Sequence, residues 1–142
     1  MKLILLVTVS ILLAGNNVVA HSHFPITNND EAALVLGKAL YEKNCASCHA
    51  INLSGAKNWK EGKDDDGQRL PPPLNGTAHT WHHSPEQLFQ VIRYGYKKFD
   101  PNYKGKMLGN EDLSEDNVWS ILEYIKSVWP KEIRDKYNNH FN

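Results

Sequence analysis

Cys45-Ala46-Ser47-Cys48-His49 is the stretch on which the reading of this 142-residue chain turns. Two thiols at this spacing can each add to one vinyl group of a haem, and the imidazole that follows is carried to the iron. The same cysteines admit two other chemistries. A thioredoxin-like redox dithiol requires a surrounding βαβ pattern, and half of a zinc site requires two further ligands at suitable spacing. No βαβ alternation flanks the pentapeptide, and the sequence holds no third cysteine. The stretch therefore predicts one covalent haem c, attached through Cys45 and Cys48, with His49 as an iron ligand.

The opposite face of the iron needs its own ligand. Two methionines occur, Met1 and Met107, and Met1 falls in a leader-like segment, so Met107 is the methionine left to the mature chain. It sits in a polar loop, Lys104-Gly105-Lys106-Met107-Leu108-Gly109-Asn110. A methionine is most often a gap filler in a core, but this loop offers almost no apolar neighbours to pack with. Met107 is read as the distal ligand, with His79, His82 and His83 as its replacements. A soft, neutral thioether favours ferrous over ferric iron and raises the potential relative to a second imidazole.

Working outward, three helices are predicted from pattern. The first runs from about Asp30 to Asn44 with Ala33, Leu34, Gly37, Leu40 and Tyr41 at helical spacing, capped by Thr27 with Asp30 or by Asn28 with Glu31. It delivers Cys45 at its end. The second opens on Ser84-Pro85-Glu86-Gln87, with a capping serine, proline in the first helical position and an acid beside the positive dipole end, and it stops at Gly95. The third is capped by Ser114, with Leu113 placed to staple onto Val118, and carries the stripe Val118, Ile121, Leu122, Ile125, Val128 and Trp129 up to Pro130. A short helix through Ile133 to Tyr137 can follow. Residues 57–68 are polar and read as a solvated surface insertion; the three consecutive aspartates Asp64 to Asp66 do not match the alternating spacing of an EF-hand loop.

At the other end, Lys2 precedes an uncharged run from Leu3 to Leu13, too short to span a membrane as a helix. Residues 1–20 are expected to be a signal peptide cleaved after Ala20, and an uncleaved anchor is the competing reading. Without Lys2 the chain has 15 basic and 16 acidic side chains, a balance that argues against nucleic acid as a partner. The mature chain is expected to hold no integral membrane segment and to reside in the periplasm or an equivalent exported compartment. The domain plan is a signal peptide (1–20), an N-terminal extension (21–29), a haem domain (30–130) and a C-terminal tail (131–142).

Three further clusters invite a reading. His79-Thr80-Trp81-His82-His83 is either a surface turn before the Ser84 cap, an auxiliary copper or zinc site, or a set of partners for the haem propionates with the Trp81 N–H as a donor. Cleavage after Ala20 would expose His21-Ser22-His23, a square-planar copper(II) chelate. Arg93, Lys97, Lys98, Lys104 and Lys106 fall within fourteen residues that contain a single acid, Asp100. Near a haem edge they would form a basic collar for an acidic redox partner; as solvated loop charges they would do nothing more.

From about Glu31 to Trp129 the sequence resembles the class I monohaem cytochromes c. The resemblance is carried by Gly37-Lys-Ala-Leu-Tyr41 leading into Cys45-Ala-Ser-Cys48-His49, by Pro72-Pro73-Leu74-Asn75-Gly76, by the Met107 loop, and by Trp119-Ser-Ile-Leu-Glu-Tyr124. It implies a small all-α cytochrome c fold of three to four helices around one haem, with Gly37 and Tyr41 crossing the face that bears Tyr124. It also implies that the Pro72 carbonyl accepts a hydrogen bond from the non-ligating nitrogen of His49. Two departures stand out: Leu108, where many relatives place a proline after the ligand methionine, and a longer insertion around Asp64 to Asp66. The function implied is one-electron transfer rather than catalysis. The alternatives are a peroxidase or ligand-binding sensor with a displaceable Met107, and a copper-handling protein that uses its histidine clusters.

Overall fold

The computed structural model describes residues 30–141; the leader, the 21–29 extension and the His21-Ser22-His23 terminus lie outside the described residues. Helix α1 (Glu31–Asn44) begins where the Asp30 carboxylate accepts the free backbone N–H groups of Ala32 and Ala33 at 3.0 and 3.2 Å. Asp30 is thus the cap in its own right, because one carboxylate reaches both donors that a capping box would otherwise share. One turn, α2 (Ala46–His49), follows after Cys45.

Helix α3 (Pro85–Tyr94) starts on the Ser84 hydroxyl, which accepts from the Gln87 N–H at 3.2 Å, with Pro85 inside the first turn. Helix α4 (Glu115–Ser127) starts in the same way on Ser114 and Asn117. Among the described residues no strand forms, only an isolated bridge between Lys63 and Arg69. The molecule is all-α, as its periodicity predicts, and none of its described helices is long and apolar enough to cross a membrane.

The main packing is α1 across α4. Val118, Ile121, Leu122 and Ile125 of α4 are buried together with Tyr41 of α1, Leu53, Leu113 and Trp129. Each such aliphatic group contributes about 1.5–3 kcal/mol when taken out of water. Gly37 lies at the crossing, where a Cβ would stand 2.6 Å from the Ser120 carbonyl carbon and 3.0 Å from Tyr124 Cβ. The Tyr41 and Tyr124 rings meet at 5.5 Å on the same contact. On the far side α3 packs on α4 through Phe89 and Trp119, 4.4 Å apart.

Segment 131–142, read from sequence as a tail with a short helix, forms α5 (Lys131–Phe141). Its Tyr137 is buried and stacks edge-on against Trp129 at 5.1 Å, and Arg134 donates to the Ser127 and Trp129 carbonyls left open at the end of α4. The helical packing therefore continues past Pro130. Counting α2, five α-helices are present among the described residues, against the three to four expected.

Candidate functional site

Helix α1 fixes Cys45 in space: its N–H donates to the Tyr41 carbonyl at 2.8 Å, continuing the helix by one residue. The next turn is closed on Cys45 itself, whose carbonyl accepts from Cys48 N at 3.1 Å and from His49 N at 2.9 Å. The two cysteines form no disulfide; Cys48 is exposed and Cys45 half-buried. Burial, then the neighbouring Cys48, raise the Cys45 thiol to about 11. Below the turn, the buried Tyr41 hydroxyl donates to the Ala50 carbonyl at 2.7 Å, tying the residue after His49 back to α1.

His49 is oriented from the other direction. Its Nδ1 lies 2.9 Å from the Pro72 carbonyl oxygen, the contact implied by the family resemblance. With Nδ1–H donating there, Nε2 is the nitrogen free to bind a metal. Burial lowers the His49 pKa, opposed by the bond to Pro72. The segment bearing Pro72 is itself anchored. Ala56 N donates to Pro71 O at 2.9 Å, Leu74 N to Leu53 O at 2.8 Å, and the Trp129 indole N–H to Leu74 O at 2.8 Å. Two cysteines outside any disulfide and an imidazole committed at Nδ1 form a donor set that fits a covalently attached haem.

Met107 is half-buried, and its backbone is held on both sides: its N–H donates to the Tyr103 hydroxyl at 3.2 Å and its carbonyl accepts from Tyr96 N at 3.0 Å. The loop is less bare than its composition suggests. The Tyr103 ring packs over Gly105 and lies 5.4 Å from the Tyr96 ring. Tyr103, four residues before Met107 in a stretch of glycine and lysine, is the signal that sequence reasoning passed over. Downstream, Gly109 approaches Gly95 so closely that a Cβ on Gly109 would meet Tyr94 C at 2.5 Å, and both glycines have positive φ, 82° and 73°. Asn110 then reaches across to Asn44 at 3.2 Å, the residue that precedes Cys45. The Met107 loop is thereby tied to the end of α1.

Other expected groups fall differently. Arg93 does not join the basic collar: its guanidinium turns inward, and Nη1 donates to the carbonyls of Glu111 and Leu113 on the chain that leads into α4. Lys97, Lys98, Lys104 and Lys106 remain exposed. Within the histidine cluster the His79 and His83 rings meet edge-on at 5.6 Å. His82 stacks on Trp81 at 3.7 Å, His83 pairs with Gln87 at 3.1 Å, and His79 faces Trp59 at 6.2 Å. Among the described residues no group of three histidine, cysteine or acidic side chains is gathered to hold an ion. Trp81 and His82 border a hollow against Lys136, Tyr137 and His140 of α5.

Comparison with known proteins places this geometry. The sequence profile of the family described as cytochrome c matches residues 34–129. Cytochrome c-555 of Prosthecochloris aestuarii is 29% identical over 99 residues, covering 65% of this chain and 84% of its own. The cbb3-type cytochrome c oxidase subunit FixP of Bradyrhizobium sp. is 27% identical over 106 residues, 72% of this chain and 32% of that subunit. The thiosulfate dehydrogenase of Allochromatium vinosum is 27% identical over 111 residues, 78% of this chain and 37% of that enzyme. The chain thus spans about a third of the length of the latter two, and no solved structure matches it. With its attachment pentapeptide and matching helical frame, the chain belongs to the cytochrome c family and is a c-type cytochrome that binds haem c covalently.

Proposed function

We propose that this protein is an exported one-electron carrier whose haem is joined through Cys45 and Cys48 and held between His49 and Met107. The observation that carries this reading is the bond from His49 Nδ1 to the Pro72 carbonyl at 2.9 Å, which commits Nδ1 and leaves Nε2 as the nitrogen for a metal. When bound, the haem supplies a one-electron iron couple, and a thioether on one face favours its reduced form. The chain supplies constancy. His49 is kept in one orientation and one tautomer by Pro72, which also makes it a stronger donor. Met107 is presented by a loop fixed at Tyr103, Tyr96 and Asn110. The Trp81 indole N–H is assigned as a donor to a haem propionate.

Residues 1–20 are assigned as a signal peptide, removed after Ala20 on the way to the periplasm. Lys97, Lys98, Lys104 and Lys106 are assigned to the docking of an acidic redox partner, where like charges on one side raise the encounter rate more than the affinity.

The test is the spectrum of the oxidised protein. A weak near-infrared band from methionine bound to ferric iron is expected in the native protein and is expected to vanish in Met107→Ala. A resting five-coordinate, high-spin haem would overturn the carrier assignment. It would favour a second, catalytic reading, supported by Leu108, which is 63% exposed beside Met107, and by the likeness to an enzyme, the thiosulfate dehydrogenase.

A further inference from the structure

The polar insertion at residues 57–68 touches the loop that bears Met107. Asp64 Oδ2 lies 3.4 Å from Lys106 Nζ, the residue immediately before Met107. Asp64 is built for this contact. Its Oδ1 accepts the Gln68 N–H at 2.8 Å and the Asp66 N–H at 3.1 Å, its own N–H donates to Gln68 O at 2.9 Å, and its carbonyl accepts from Gly67 N at 2.9 Å. The turn is closed at its base by the Lys63–Arg69 bridge. The backbone N–H of Gln68, then Lys106 and Asp66, hold the Asp64 carboxyl below its ordinary pKa, and its side chain is 15% exposed. Its neighbours Asp65 and Asp66 are exposed. One of three consecutive aspartates is thus fixed by its own turn, with one oxygen left for a lysine from a distant loop.

We propose that Asp64 is a positioning residue for the distal ligand: by holding Lys106 it restrains the Met107 loop, replacing the stiffness that a proline at position 108 would give. The inference rests on the assignment of Met107 to the iron. The Tyr103 and Tyr96 bonds fix the backbone of Met107 from its own side of the loop, and the Asp64 contact adds a tie from outside it. Releasing that tie leaves the fold intact and makes the loop easier to swing away, so a small ligand competes better for the iron.

The experiment measures imidazole binding to the ferric holoprotein for the native chain, Asp64→Asn, Lys106→Gln, the double variant and Asp65→Asn. An ion pair with one exposed partner supports a change of about threefold. Asp64→Asn and Lys106→Gln are each expected to tighten imidazole binding by that factor at low ionic strength, and the double variant no more than either. Asp65→Asn should match the native protein. About 1 M salt, which screens charges beyond ~3 Å, should bring the native protein to the level of the variants. Thermal unfolding of Asp64→Asn within a degree or two of the native value would separate loop release from general loosening. Native-like imidazole affinity in both single variants, a multiplicative double variant, or an equal effect of Asp65→Asn would overturn the proposal. Absence of the near-infrared methionine band in the native protein would instead defeat the Met107 assignment, and the positioning role with it.

Discussion

Replacing Gly37 with alanine tests the helix crossing that delivers Cys45. The new Cβ would stand 2.6 Å from the Ser120 carbonyl carbon, closer still to its oxygen, and 3.0 Å from Tyr124 Cβ. Carbon atoms in contact sit ~3.5–4.0 Å apart, so α1 and α4 must part by about 1 Å. Overpacking usually costs about 1–3 kcal/mol because side chains can turn aside. Here the obstruction is the Ser120 backbone and the Tyr124 Cβ, neither of which a rotamer change can move, and about 4 kcal/mol is expected. Alanine returns about 1 kcal/mol of helix propensity over glycine, leaving a net loss of about 3 kcal/mol. With a slope near 2 kcal/mol/M, that moves the urea midpoint down by about 1.5 M. Gly67→Ala is the control. Gly67 has a φ of 74° with nothing within 4 Å of a Cβ, so it should lose only about 1 kcal/mol to backbone conformation. If Gly37→Ala unfolds within about 0.5 kcal/mol of the native protein, or Gly67→Ala costs as much as Gly37→Ala, steric exclusion at the crossing is not what requires glycine.

Tyr137 is buried with a hydroxyl that has no hydrogen-bond partner among the described residues. Tyr137→Phe is therefore expected to be neutral or to stabilise by up to about 1 kcal/mol in urea titration, whereas Tyr41→Phe, which abandons the Ala50 carbonyl, should destabilise by about 1–2 kcal/mol. Burial raises the pKa of both tyrosines above 10.0. The unfolded chain then releases these protons first, so stability present below pH 10 should be lost as pH rises beyond it, with each Phe variant removing part of that slope. A flat urea midpoint from pH 9 to about pH 12 would contradict this. Arg93→Gln should cost about 1–3 kcal/mol by stranding the Glu111 and Leu113 carbonyls, while Lys97→Gln should leave stability unchanged within about 0.5 kcal/mol. Equal midpoints would place Arg93 back among the surface charges.

Local chemistry was legible in the sequence wherever a signal and its partner lie within a few residues. The Ser84-Pro85 and Ser114 starts are read directly, because a cap and its N–H sit three residues apart. Cys45 through His49 states its own chemistry for the same reason. Contacts closed over long separations were not legible. Arg93 looks like a surface charge until the chain near Glu111 folds back beneath it, and Asp64 looks solvated until the Lys106 loop arrives. Segment 131–141 is so polar that its pattern indicates only a short helix through Ile133 to Tyr137, not the full extent of α5. One face, bearing Ile133, Tyr137 and Phe141, suffices to pack on Trp129 and Trp81. The His49 to Pro72 bond spans 23 residues and entered through family resemblance, not periodicity.

The central claim is that Met107 and His49 close the iron on both faces. Proton magnetic resonance of the reduced, diamagnetic protein tests it most directly, because the haem ring current shifts a ligand methyl far upfield of every other signal. A single three-proton resonance of this kind is predicted in the native protein and predicted to be lost in Met107→Ala. An upfield region with no methyl signal, or one that survives the substitution, would contradict the account.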